Sequence, residues 1–212
     1  MFRIARLFPA LFSAMLLALL PGSAKAAFGS SKDWPCIQRE IPEISAGMVW
    51  TGDPVDPEDR SWSKMPEVAE AVQQVISRRK TIDEALDVID SFSANLKEKR
   101  TEALRALFVG ALEKINAERR KIMGGIKRYA RRQAALADQI RKKSLDEAKL
   151  NRQKPLTGAE KQRLAQLAEE IEWDTRIYEE REQSLKYVCE TPVLLEKRLF
   201  QIGRHISSLI KK

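Results

Sequence analysis

Two cysteines and one histidine are the most chemically reactive side chains of this 212-residue chain. Cys36 and Cys189 lie near opposite ends and form no Cys-x-x-Cys motif, so the pattern gives little support to thiol–disulfide catalysis. In an oxidising compartment, a lone pair of this kind predicts one intramolecular disulfide. The alternatives are two independent thiols or an intermolecular bridge.

Catalytic constellations are nearly absent from the sequence. His205 is the only histidine, which leaves no residues for a histidine-based zinc site or for two-histidine chemistry, and we expect a surface or structural role for it. Asp53, Asp56 and Asp59 could offer oxygen ligands to calcium, but their spacing does not match an EF-hand loop and favours turn and capping roles. We therefore expect no metal, no cofactor and no enzymatic activity.

The first 26 residues predict where the rest of the chain works. Two arginines precede an apolar run of 14 residues, and Ala24-Lys25-Ala26 supplies the small residues that signal peptidase requires. The run is shorter than the roughly 18 to 20 residues that a membrane-spanning helix needs. We expect residues 1–26 to be a cleaved signal peptide and the mature protein to be soluble in the periplasm; a retained membrane anchor is the alternative.

Net charge changes when the signal peptide is removed. The chain carries +8 at pH 7, of which three positive charges belong to the signal peptide, so the mature protein carries about +5. This is a mild basicity, and DNA is not a usual periplasmic partner. We expect no nucleic-acid partner.

Residues 27–65 predict an irregular, acidic arm. Prolines and turn residues occur too densely for a regular helix, yet the segment is too apolar for a disordered tail. Trp34 and Trp50 lie in the stretches of the arm with the most distinctive sequence. They are candidate partner-binding residues, because tryptophan often dominates the binding energy of interfaces. The alternative is internal packing, with a disulfide between Cys36 and Cys189 bringing Trp34 to the base of the helical domain.

Helical periodicity begins at Pro66, a favoured residue of the first helical turn. A first short helix is predicted to end near residues 78–80. Thr81 and Glu84 have the spacing of a capping box and predict the start of a second. The apolar phase slips by about one residue across residues 97–101, which predicts a bend or a break.

The next segment predicts a coiled-coil helix. Steps of four and three residues from Phe108 define 11 seam positions, of which eight are apolar or aromatic. The seam consists of Phe108, Leu112, Ile115, Arg119, Ile122, Ile126, Tyr129, Gln133, Leu136, Ile140 and Lys143. Gly110, Gly124 and Gly125 interrupt a segment that otherwise consists of strong helix-forming residues. They indicate either a close helix contact or a flexible point.

A returning helix is predicted after the turn at residues 151–156. Thr157 and Glu160 again have the spacing of a capping box, and so short a connection makes the two helices antiparallel neighbours. Paired positions should then sum to about 312. Residues 189–192 predict a break, with Thr191 as N-cap and Pro192 as the first residue of a last helix.

The fold class that these patterns predict is all-α. Residues 66–212 should form a long antiparallel, coiled-coil-like helical hairpin with short base helices, and residues 27–65 an irregular N-terminal arm stapled across the base.

The strongest charge feature is the run at residues 119–154, which contains 13 basic and three acidic residues. Two interpretations stay open: the run pairs with acidic residues of the returning helix, or it is a docking surface. The returning helix has too few carboxylates to neutralise it, so the surplus could attract the acidic arm, an acidic partner protein or an anionic membrane. Its candidate partner-binding residues are Arg119, Lys127, Arg128, Arg131 and Arg132.

These features favour an exported, non-catalytic adaptor or accessory subunit that acts through protein–protein interaction. A holdase-type periplasmic chaperone or an envelope scaffold is the second hypothesis, since the chain is similar to periplasmic holdase chaperones with helical arms in composition and architecture, without a shared motif. The third is a peripheral protein that lies on the membrane surface through an amphipathic C-terminal helix. A homo-oligomer is compatible with each of them.

Overall fold

The computed structural model describes residues 31–96, 98–153 and 155–211, and all regular elements in these ranges are helices. The predicted signal peptide lies outside the described residues. The elements are α1 (Ala46–Val49), a 3₁₀ helix (Ser61–Lys64), α2 (Pro66–Ile76), α3 (Ile82–Asn95), α4 (Arg100–Arg152) and α5 (Gly158–Ile210). The predicted all-α fold is confirmed.

Helices α4 and α5 form the predicted antiparallel hairpin. Each has 53 residues and is therefore about 80 Å long. The Tyr129 hydroxyl donates to the carbonyl oxygen of Arg181 at 2.8 Å, and Nε2 of Gln133 donates to the carbonyl oxygen of Tyr178 at 2.8 Å. Both pairs agree with the predicted register.

The predicted helix starts are also confirmed. The Thr81 and Thr157 hydroxyls accept from the amides of Glu84 and Glu160, whose carboxylates accept from the threonine amides in return. Lys99 adopts a left-handed conformation with φ of 54° immediately before α4. This residue makes the break that the phase slip predicts.

The predicted break at residues 189–192 is wrong, because α5 continues through Pro192. Proline lacks an amide hydrogen, which deprives the carbonyl of Val188 of its helical partner. Two side chains from other segments bond carbonyls in the same stretch: Gln38 Nε2 donates to Cys189 at 3.1 Å, and Arg119 Nε donates to Pro192 at 3.3 Å. Tertiary contacts thus support the helix around a residue that usually ends one.

The hydrophobic core lies at the base of the hairpin. There α2, α3 and the arm pack against the start of α4 and the end of α5, around fully buried residues such as Phe108, Leu199 and Ile202. A Cβ atom at Gly110 would approach Val72 at 2.6 Å and Trp62 at 2.8 Å, so this glycine marks a close contact. At Gly124 and Gly125, the atoms near such a Cβ belong to the Arg128 side chain, at 3.4 Å or more.

The far half of the hairpin is a two-helix structure with a thin apolar seam. Leu167 is almost fully buried there, while most neighbouring side chains are exposed. Among the helices of the described ranges, none has the combination of length and hydropathy needed to cross a bilayer.

Candidate functional site

Cys36 and Cys189 form the predicted disulfide. Their Cα atoms lie 5.6 Å apart, and the bridge joins positions separated by 153 residues. It fixes the start of the arm against α5, where Gln38 adds its hydrogen bond to the Cys189 carbonyl. Both cysteines are used, so the alternatives of free thiols and an intermolecular bridge are excluded.

The three non-apolar seam positions of α4 all bond to α5. Gln133 bonds Tyr178 as described above. Arg119 has a side chain only 3 % exposed, and its Nη2 lies 3.7 Å from a carboxylate oxygen of Glu196. Lys143 lies 2.8 Å from Asp174 and 2.9 Å from Glu170.

The burial of Arg119 has electrostatic consequences. Burial lowers the pKa of the Arg119 guanidinium, and the Glu196 carboxylate acts in the opposite direction. At Lys143, the hydrogen bonds to Asp174 and Glu170 raise the pKa of the ammonium. The structure therefore places Arg119, a candidate partner-binding residue, inside the hairpin, where it joins α4 to α5.

The acidic arm covers a second face of α4 through ion pairs. Asp33 contacts Arg131 at 2.9 Å, and Glu40 pairs with Lys127. Two further pairs join Glu43 to Arg120 and Asp53 to Arg105. Of the candidate partner-binding residues, Lys127 and Arg131 are thus already engaged by the chain itself.

Glu40 is the most buried carboxylate of this arm interface, with 9 % of its side chain exposed. Burial raises the pKa of its carboxyl, but the hydrogen bonds from Lys127 and Ser31 outweigh that effect, so the net pKa is lowered. The ionised form of Glu40 therefore stabilises the docked arm.

Asn116 holds the centre of the arm, a contact that the sequence analysis missed. Its Oδ1 accepts from the Ile44 amide and its Nδ2 donates to the Ile44 carbonyl, both at 2.9 Å and both buried. The available signal was a carboxamide that directly follows the apolar seam residue Ile115. A polar residue next to a buried seam needs a partner, and here the partner is the arm backbone.

The tryptophans of the arm contact the chain's own residues. Trp50 stacks on Phe108 with ring centroids 4.4 Å apart, and Trp62 donates through Nε1 to Glu113 at 2.9 Å. Trp34 is half-buried near the disulfide and donates to the Gln38 carbonyl at 2.6 Å. These positions agree with the internal-packing alternative for Trp34 and Trp50.

Arg128 and Arg132 are exposed and form no salt bridge with the arm or with α5 within the described residues. Arg128 follows Arg119 by nine residues, which turns it half a revolution away from the α5 side of the helix. Exposed lysines continue this face in both directions, and the salt bridges among the described residues involve none of these four side chains. We call this face the basic stripe; it comprises Lys121, Arg128, Arg132 and Lys142.

The remaining reactive residues have structural partners. Asp56 accepts from the Glu58 amide at 2.9 Å and Asp59 from the Ser61 amide at 2.7 Å, as turn residues do. His205 Nε2 lies 2.7 Å from Asp90 and connects α5 to α3. Within the described part of the chain, no three histidine, cysteine or carboxylate side chains converge in a way that could hold a metal ion.

Acid should weaken the protein through its ion-paired carboxylates. The pKa values of Glu40 and Glu170 are lowered in the fold, so their contribution is present above the unfolded value near 4.5 and is lost as the pH falls through the folded values. We expect the free energy of unfolding, measured in urea at a series of pH values, to decrease below about pH 5.

The Glu40→Gln variant should show a shallower decrease in this range than the wild type, because one titrating group is lost. Equal slopes in the wild type and the variant would contradict the assignment to Glu40.

Comparisons with known proteins find no match: no family model fits the chain, and no curated protein or solved structure is similar to it at a significant level.

Proposed function

We propose that the protein is an exported, non-catalytic adaptor or accessory subunit that binds an acidic partner protein through the basic stripe. The observation that carries this proposal is that four cations lie exposed along one face of α4 and form no salt bridge within the described part of the chain. Unpaired charge of one sign along a rigid surface attracts a partner of opposite sign.

The arm supports the proposed mode of binding. The neighbouring face of the same helix already holds an acidic, largely extended segment through Arg120, Lys127 and Arg131. The basic stripe repeats this chemistry on a face that the arm leaves free. An acidic segment or helix of another protein is therefore the partner that fits it.

The residues that lie between the cations of the basic stripe favour a protein partner over a membrane surface. Helices that lie on membranes bury an apolar face between their basic residues. The residues between the cations of the basic stripe include Ala135 and Gln139, which offer little apolar surface. The amphipathic end of α5 directs Leu195, Leu199 and Ile206 into the core.

The test compares two double variants of the mature, oxidised protein in crosslinking pull-downs from the native periplasm. Arg128→Glu with Arg132→Glu should reduce recovery of a stoichiometric partner by about tenfold or more. Lys161→Glu with Lys211→Glu makes the same change in charge at two exposed sites, one on α5 and one directly after it, and should leave recovery unchanged. Added salt should weaken binding to the wild type.

Full recovery with the Arg128 and Arg132 variant would disprove the role of the basic stripe. Suppression of aggregation of many unrelated unfolded proteins, equal in both variants, would instead support the chaperone hypothesis. Circular dichroism of each variant checks that the helical fold is retained.

A further inference from the structure

The outer face of α5 carries apolar side chains that the described chain leaves uncovered. Trp173, Tyr187 and Leu194 are 59, 75 and 57 % exposed. They are separated by 14 and seven residues, so they occupy the same position of the heptad repeat. One face of α5 thus presents three large apolar side chains to the surface.

This face is distinct from those that hold the fold together. α4 packs on the other side of α5, at residues such as Leu167 and Leu195. α2 and α3 contact an adjacent face further along, where Arg198 donates to the carbonyl of Val75 in the last turn of α2 at 2.8 Å and His205 meets Asp90 of α3. We call the free face the α5 stripe; in steps of four and three it comprises Glu169, Trp173, Arg176, Glu180, Gln183, Tyr187, Glu190, Leu194 and Lys197.

We infer that a second copy of the chain covers the α5 stripe, with the two α5 helices antiparallel about a two-fold axis at Gln183. In this register each stripe residue faces the stripe residue that lies the same number of steps from Gln183 on the other copy, with positions that sum to 366 or 367. The facing pairs are Glu169 with Lys197, Trp173 with Leu194, Arg176 with Glu190, and Glu180 with Tyr187.

The charges of the α5 stripe select this arrangement. Glu169 meets Lys197 and Arg176 meets Glu190, so both charge–charge layers join opposite signs. A parallel pairing would place Arg176 against Arg176 and Glu190 against Glu190, which is unfavourable. The heptad charges thus specify the direction as well as the partner.

The apolar layers also fit. A groove of about 300 Å³ lies beside Leu194, between α5 and the start of α3, and is lined in part by Ile82, Leu194 and Lys197. The antiparallel register brings Trp173 of the other copy to this groove. Within one copy, Arg176 lies 5.7 Å from the Trp173 ring centroid and 3.1 Å from Glu172, which positions both side chains at the surface of the stripe.

The mature, oxidised protein should therefore sediment with twice the monomer mass, and dilution should dissociate it. Arg176→Glu or Glu190→Arg alone places like charges opposite each other and should raise the dissociation constant by about tenfold. The double variant restores opposite signs in both symmetric pairs and should return the dissociation constant to the wild-type range. Lys161→Glu and Glu182→Arg, which make the same charge changes off the stripe, should have little effect.

Crosslinking tests the position of the axis. Gln183→Cys should give a covalent dimer with a short bis-maleimide, whereas Ser91→Cys, exposed on α3, should not. A monomer at all concentrations, or a double variant that is no tighter than the single ones, would overturn the inference. A different result would also overturn it: the wild type is monomeric but recovers another protein in a pull-down, and the Leu194→Asp variant no longer recovers that protein. This would show that another partner covers the α5 stripe.

This inference is independent of the proposed adaptor function. Arg128→Glu with Arg132→Glu should leave the dimer intact, because both residues lie on α4.

Discussion

Replacement of both cysteines, Cys36→Ser with Cys189→Ser, should lower the free energy of unfolding by about 5 kcal/mol in the chain-entropy description of disulfides. The reason is the 153-residue separation of the two positions, which makes the unlinked unfolded chain far less constrained. The range found when native disulfides are removed is about 2 to 5 kcal/mol. Urea denaturation with a fitted m-value measures the change.

The same variant should release only the first part of the arm. Residues before Glu43 depend on the disulfide, on Gln38 and on the ion pairs of Asp33 and Glu40, whereas Ile44 is held separately by Asn116. Limited proteolysis should therefore cut within residues 31–42 and spare the helical core. An unchanged unfolding midpoint, or cleavage at α2 first, would contradict this expectation.

The second large effect is expected at Asn116. In Asn116→Ala, the amide and the carbonyl of Ile44 stay buried without partners, and each unpaired group costs about 1 to 3 kcal/mol. We expect a loss of roughly 2 to 5 kcal/mol together with faster hydrogen exchange at the Ile44 amide. Urea denaturation and exchange measured by NMR check the two parts.

Gln133→Ala is the matched control because Gln133 is also a buried carboxamide on α4 that bonds a backbone group. Its acceptor, the Tyr178 carbonyl, lies inside α5 and keeps its helical hydrogen bond when the side chain is removed. We therefore expect a loss of about 1 kcal/mol. Equal losses of unfolding free energy in the two variants would show that the hydrogen bonds to the arm backbone do not make the contribution of Asn116 larger than that of Gln133.

The register of the hairpin follows from the sequence because seam spacing is a geometric property of packed helices. Steps of four and three place Arg119, Gln133 and Lys143 on the α5 side, and all three bond there. The same spacing explains why the Arg119 side chain is buried against α5 while Arg128 is exposed, since a helix distributes consecutive basic residues over all its faces.

Two features could not be derived from local patterns. Pro192 has the sequence context of a helix start, yet Arg119, Gln38 and the disulfide hold α5 together across it. The pairing of Asp33 with Arg131 depends on where an irregular segment crosses a helix, and irregular segments have no periodicity from which to predict it. In both cases contacts between distant residues override local preference.

The two cysteines that the disulfide joins are synthesised at different times. At about 5 to 20 residues per second, synthesis reaches Cys189 roughly 8 to 30 s after Cys36. The α4 residues that bind the arm, which include Asn116, Lys127 and Arg131, are also synthesised after the arm itself. The bond between Cys36 and Cys189 can therefore form only after nearly the whole chain has been synthesised.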